Sequence, residues 1–316
     1  MRLLEWLFSG VDRNPEPPLP LRLAVAGGRV AAMRANGELW LWSRDSGERL
    51  STLISAGGAV ALSPDGQAVV GGDGVLHRAE HSAPAAFEGV CAFVGEELLR
   101  VGWDKLTLGS AGAARISLPH ALGAPSDAME VLVGPRAVAM VDPAWDKALV
   151  LDPASGSLYA YAGGRGPIQA ACWLGERLAV VQEGVVFVEG QGEERRPHAL
   201  QTLAVASRAG ELVSVGLDAR DRYELRDGAL LALPGGAPER PWLGLSGRYT
   251  VAQTRAGVAV VADGAVHTLE LPLRRGRRPA LLAPPVLVEP SMVLLGLWPP
   301  ALYRLSDLTC TLRFSD

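Results

Sequence analysis

The sequence predicts an all-β fold built from one four-stranded unit repeated along the chain. Three observations carry this. Apolar runs of about four to eight residues, rich in Val, Leu and Ala, are separated by Gly, Asp and Pro turns, which is the grammar of strands. From Leu21 onward no amphipathic stretch of ordinary helix length interrupts them. The runs also group, and a similar set of strands returns at intervals of roughly 30 to 42 residues.

The first unit, LRLAVAGGRVAAMRANGELWLWSRDSGERLSTLI, divides into LRLAVAG, RVAAMRA, ELWLWS and ERLSTLI. Asn36-Gly37 joins the second and third strands, because both residues tolerate the positive φ of a type I′ hairpin turn. The second unit turns at Ser63-Pro64-Asp65-Gly66 and again at Asp73-Gly74. Further units follow in VCAFVGEELLRVGWDKLTLGSAGAARISL, MEVLVGPRAVAMVDPAWDKALVLDPASGSLYAYA, IQAACWLGERLAVVQEGVVFVEG and QTLAVASRAGELVSVGLDARDRYELRDGALLAL. A looser stretch, YTVAQTRAGVAVVADGAVHTLEL, precedes the last unit, VLVEPSMVLLGLWPPALYRLSDLTCTLRF. Eight units are counted; the phase between Leu230 and Glu270 leaves seven open. Runs that are apolar on both sides suit sheets covered on both faces, whereas packed sandwiches alternate one residue in and one out. The expected architecture is a β-propeller of four-stranded blades, a single domain over 21–316.

The motifs LSPDG (Leu62 to Gly66), LWLWSRDSGERL (Leu39 to Leu50) and LVLDPASGSL (Leu149 to Leu158) resemble turn and third-strand elements of the WD-repeat and quinoprotein-like β-propeller superfamily. The resemblance covers most of the chain from Leu21 onward and speaks to fold. It implies a rigid platform carrying variable loops. Bacterial propellers of this kind occur as accessory subunits of larger machines, including ATPase-associated and defence-type assemblies.

Residues 1–20 form a leader. In MRLLEWLF, Leu3, Leu4, Leu7 and Phe8 share one helical face with Trp6 at its margin, and a Pro-rich spacer follows. A helix this short needs something to pack on, either its own propeller or a partner's groove. The apolar run is broken by Glu5 and no small-residue cleavage site follows, so neither a signal peptide nor a membrane span is expected.

A net charge of -4 and pI of about 5.8 provide no general positive field for nucleic acid or an anionic membrane. The exception is local: Arg274, Arg275, Arg277 and Arg278 in LRRGRRP could grip an acidic partner or phosphates. Three distant cysteines, Cys91, Cys172 and Cys310, argue against a disulfide framework and for a reducing cytoplasm. Because they fall in apolar strands, they are expected to be buried and inert.

No reaction motif appears. His77, His81, His120, His198 and His267 form no metal spacing, and no Gly-x-Ser-x-Gly elbow, Walker loop or dinucleotide glycine pattern is present. The pairs Asp142 with Asp146 and Asp218 with Asp221 read as turn formers. No cofactor is expected. The main expectation is a non-catalytic interaction scaffold; the alternatives are a propeller enzyme with a central-channel site and a small-molecule or glycan sensor.

The only two lysines stand in one repeated word, Trp103-Asp104-Lys105 and Trp145-Asp146-Lys147. Each precedes a third strand, whereas the Trp-Asp of a WD repeat ends one, so the word is not that signature. Equivalent turns of consecutive blades leave the same face. Trp103, Lys105, Trp145 and Lys147 are therefore expected there, either as a partner-binding set or with each indole packed on its neighbouring blade.

Overall fold

The computed structural model describes residues 22–33, 37–54, 60–70, 76–78, 81–83, 89–110, 113–126, 128–190, 194–271, 281, 283–288, 291–297 and 300–314. The leader, with Leu3, Leu4, Trp6, Leu7 and Phe8, lies outside them, as do Arg274, Arg275, Arg277 and Arg278. Within them every regular element is a strand, and no helix is long and apolar enough to cross a membrane.

Sheet 1 contains β1 (Arg22–Ala26), β2 (Arg29–Met33), β3 (Glu38–Ser43) and β4 (Arg49–Ile54). Sheet 2 contains β5 (Ala61–Leu62), β6 (Ala68–Val70), β7 (Leu76–Arg78) and β8 (His81–Ala83). Sheet 3 has β9 (Val90–Val94), β10 (Glu97–Val101), β11 (Lys105–Gly109) and β12 (Ala114–Pro119); sheet 4 has β13 (Glu130–Val133), β14 (Val138–Val141), β15 (Ala148–Asp152) and β16 (Ser157–Tyr161). In sheet 5 come β17 (Ile168–Leu174), β18 (Arg177–Gln182), β19 (Val185–Val188) and β20 (Glu194–Arg195). Sheet 6 follows with β21 (Gln201–Arg208), β22 (Glu211–Leu217), β23 (Tyr223–Asp227) and β24 (Ala229–Ala232). The last two are sheet 7, with β25 (Leu243–Ser246), β26 (Tyr249–Thr254), β27 (Gly257–Ala262) and β28 (Ala265–Glu270), and sheet 8, with β29 (Ala283–Val288), β30 (Met292–Gly296), β31 (Ala301–Arg304) and β32 (Cys310–Arg313).

All eight sheets are antiparallel, with their strands in sequence order. Seven contain at least two strands of five residues or more; sheet 2 has none longer than three. The choice between seven and eight units thus comes down to seven full sheets and one reduced one. Sheet 2 is anchored by its SPDG turn: Ser63 Oγ accepts the Ala68 N–H (2.9 Å), Asp65 Oδ1 accepts the Gln67 N–H (2.9 Å), and the turn lies against Gly27. Gly27 has φ +51°, and a Cβ there would sit 2.0 Å from the Asp65 carbonyl carbon, so no larger residue fits.

Second and third strands are the most buried, as in β14 (VAMV) and β27 (GVAVVA). Fourth strands form the rim and are half exposed. Cys310 is one of these rim residues and is exposed, against the expectation that all three cysteines are buried; Cys91 and Cys172 are buried as expected. Burial pushes the Cys172 thiol up to about 12, leaving it an inert hydrophobe at neutral pH.

Apolar clusters fill the interfaces between successive sheets, for example Leu99, Leu108, Met140 and Leu151 between sheets 3 and 4. The ring closes where Val30, Ala32 and Trp42 of sheet 1 meet Val288, Leu294, Leu302 and Phe314 of sheet 8. Trp42 and Phe314 have ring centroids 5.8 Å apart. No sheet mixes strands from the two ends of the chain, so closure rests on side-chain packing.

Candidate interaction face and central channel

First strands meet first strands around the axis, as in β1 with β29, β17 with β21 and β21 with β25. Turns between second and third strands therefore share one face with the connections between sheets. We call this the connection face. Trp103, Lys105, Trp145 and Lys147 all lie there, and the strands flanking both the Arg274 to Arg278 segment and the leader end at it.

The two copies of the repeated word are not equivalent. Trp103 is 72% exposed, whereas Trp145 is 3% exposed and belongs to the core between sheets 3 and 4; both lysines are exposed. Turn length explains the difference. Only Gly102 to Asp104 separate β10 from β11, and Gly102 N–H donates to the Lys105 carbonyl (2.9 Å), which throws the indole outward. Between β14 and β15 the chain runs from Asp142 to Lys147 and folds Trp145 back, with Trp145 N–H on the Asp142 carbonyl (2.9 Å).

His120, in the connection from sheet 3 to sheet 4, joins the two turns. Its backbone N–H donates to the Asp104 carbonyl (2.8 Å) and its Nε2 to the Gly102 carbonyl (3.0 Å). Its ring centroid lies 5.9 Å from that of Trp145. The buried copy and this histidine thus brace the turn that displays the exposed copy.

Other polar side chains lock the connections, and sequence reasoning missed most of them. Asp142, fully buried, accepts the Ser126 Oγ–H (2.9 Å) and the Ala144 N–H (2.7 Å). Gln182 Oε1 accepts the Gly163 and Gly164 N–H groups (3.0 and 2.8 Å), and its Nε2 donates to the Asp146 and Gly166 carbonyls (3.0 and 2.6 Å). Asp218 is a turn former: it accepts N–H groups from Arg220 and Arg222, and these bonds, with the Arg222 guanidinium, hold its carboxyl at about 2. The one available sequence signal was a polar residue ending an apolar second strand.

His198 has the contacts of a hydrolase triad. Its Nδ1 lies 2.8 Å from Glu224 Oε1 and its Nε2 lies 2.9 Å from Ser214 Oγ. Burial, the largest influence, holds its pKa below 6.5 in spite of the raising contact with Glu224. A neutral ring donates from Nδ1 to the carboxylate and accepts the serine proton at Nε2. Ser214 is 0% exposed, so no substrate reaches the hydroxyl, and the chain of bonds ties the connection after sheet 5 to sheet 6. A histidine with a depressed pKa in the folded state contributes stability that is complete above pH 6.5 and lost as pH falls below it. The melting temperature is expected to drop between pH 6.5 and 5, before ordinary carboxylates titrate, and this step should be absent in His198→Gln.

A cavity of about 1130 Å³ runs along the axis. Its walls include Arg22, Glu130, Gln169, Trp173, Arg240 and Trp242, drawn from sheets 1, 4 and 5 and the connection into sheet 7. Trp173 Nε1 donates to the Leu132 carbonyl (2.9 Å), and its indole lies over Gly134, where a Cβ would come within 2.6 Å. Glu130 opens to channel water yet is surrounded by protein, and this burial raises its carboxyl above the usual range. No group of three His, Cys, Asp or Glu residues suited to a metal occurs among the described residues.

No family model and no curated protein matches the chain. Solved structures do. BamB from Moraxella catarrhalis matches with a TM-score of 0.60 at 12% identity, covering 86% of this chain and 92% of BamB. The computationally designed Ika8 protein gives 0.55 at 16% identity, over 95% of this chain and 87% of Ika8. The WD40 repeats of RRP9 give 0.51 at 15% identity, over 79% of this chain and 96% of that one. Identities this low establish the fold alone, and that fold is the WD40-like and quinoprotein-like β-propeller.

Proposed function

We propose that this propeller is a non-catalytic protein-interaction platform, an accessory subunit of a larger assembly in the cytoplasm, and that Trp103 is its principal contact. The observation that carries this is one indole, 72% exposed, on a short turn held by His120. An exposed tryptophan on a braced turn offers a large apolar area at little cost in ordering, the usual composition of an interface hot spot. Lys105 stands beside it as a polar rim. The likeness to WD40 repeats supports a binding role of this general kind. Burial of Ser214 supports the non-catalytic reading, since it closes the triad-like arrangement of His198, Glu224 and Ser214 to substrates.

The test is a photo-crosslinking residue at position 103, used in the native host. A discrete cross-linked protein that is lost when the crosslinker is moved to buried position 42 supports the proposal. Trp103→Ala is expected to lose capture of that protein while changing stability by no more than about 0.5 kcal/mol. Capture unaffected by Trp103→Ala would remove Trp103 from the interface.

A further inference from the structure

We propose that the apolar leader segment Leu3 to Phe8 docks on its own propeller and plugs the connection-face mouth of the central channel. The mouth lies on the axis, apart from the Trp103 turn, so this inference does not depend on the proposed interaction role.

First strands begin at the connection face, so wall residues at or just before their starts ring the mouth there. They include Met129 ahead of β13, Pro167 and Ile168 at the start of β17, Pro241 and Trp242 ahead of β25, and Pro284 in β29. Pro167 and Pro284 are exposed and Trp242 is half-buried. Proline has no N–H, so these positions offer ring carbons without a donor to satisfy. An apolar ring left open to water gains free energy when apolar side chains cover it.

The leader is joined to that ring. Arg22, the first described residue, is itself part of the channel wall, so the chain ahead of it departs from the mouth. Ser9 to Leu21 form a spacer of 13 residues. At about 3.3–3.6 Å per residue this spacer reaches about 43–47 Å at most, several times the width of about 10–12 Å of a helix with its side chains. A flexible tether gives its end an effective concentration on the order of millimolar, so modest apolar contact is enough to hold it.

The pattern of the segment suits a mouth. Leu3, Leu4, Leu7 and Phe8 share one helical face, and Glu5 falls on the opposite one. Laid across the opening, the segment presents four apolar side chains to the wall and turns Glu5 toward water, on the side where the wall carries the exposed Arg240. Six helical residues are about 9 Å long and about 10–12 Å across, on the order of 700–1000 Å³. The cavity of about 1130 Å³ holds that volume. A helix this short does not persist alone in water, and docking supplies the packing it lacks.

The test uses the full chain with the photo-crosslinker p-benzoylphenylalanine in place of Phe8. Irradiation of dilute protein is expected to give a product of monomer mass in which the residue-8 peptide is joined to a peptide containing Met129, Ile168 or Trp242, as read by mass spectrometry. Leu3→Asp combined with Leu7→Asp in the same chain should abolish this cross-link while leaving the far-ultraviolet dichroism unchanged. The same pair of substitutions in the otherwise native chain should raise the fluorescence of added anilinonaphthalenesulfonate about threefold or more, because the apolar mouth is uncovered. The position of the cross-link is informative even if the double variant fails to fold. A product of dimer mass, a cross-link to rim strands such as β16 or β24, no cross-link, or a wild-type protein that binds the dye as strongly as the folded variant would each overturn the proposal.

Discussion

Replacing Phe314 with alanine is expected to lower the unfolding free energy by about 3–5 kcal/mol, read from urea titration. Phe314 is 1% exposed and packs against Trp42, itself fully buried, where sheet 8 meets sheet 1. Truncating a buried aromatic removes apolar contact and leaves a cavity wherever it occurs. Here the loss falls on the joint that closes the ring, where no shared strand compensates. Beyond lost stability, limited proteolysis should therefore cut first within sheets 1 and 8. A stability loss below about 1 kcal/mol, with unchanged cleavage, would mean that closure rests on other contacts.

The second large effect separates the two copies of Trp-Asp-Lys. Trp145→Ala should cost about 3–5 kcal/mol, since the indole sits in the core between sheets 3 and 4. Trp145→Phe should retain most of that stability, because the indole N–H has no partner among the described residues. Trp145→Ala should also weaken partner capture indirectly, by loosening His120 and the turn that presents Trp103. Phe at 145 should restore capture along with stability. If Trp145→Ala instead melts like the wild type, the indole is not part of the core and the bracing account fails.

Much of the fold was legible in the sequence because propeller strands announce themselves locally. Asn36-Gly37 signals in the sequence a hairpin between the second and third runs, β2 does pair with β3, and the apolar second strands mark the middle of each sheet. Short elements were harder to read: β25 has four residues and β20 only two, too few for periodicity to show. The candidate sites were legible only in part. Both copies of the repeated word were placed on one face, but identical residues took opposite environments because their turns differ in length. Leu132 and Trp173 lie on different sheets and meet only when the first strands gather round the axis. No local pattern joins them.

The ring has no seam in the usual sense. Each sheet is a continuous piece of chain, and the joint between the last sheet and the first is of the same kind as every other: apolar side chains pressed face to face. Such a molecule does not record where its chain begins. Cutting any connection and linking Phe314 back to Arg22, both at the connection face, would give a circularly permuted chain with the same eight contacts in a different order. Genetic rearrangement could thus move the exposed tryptophan to any place in the order of synthesis without moving it in space.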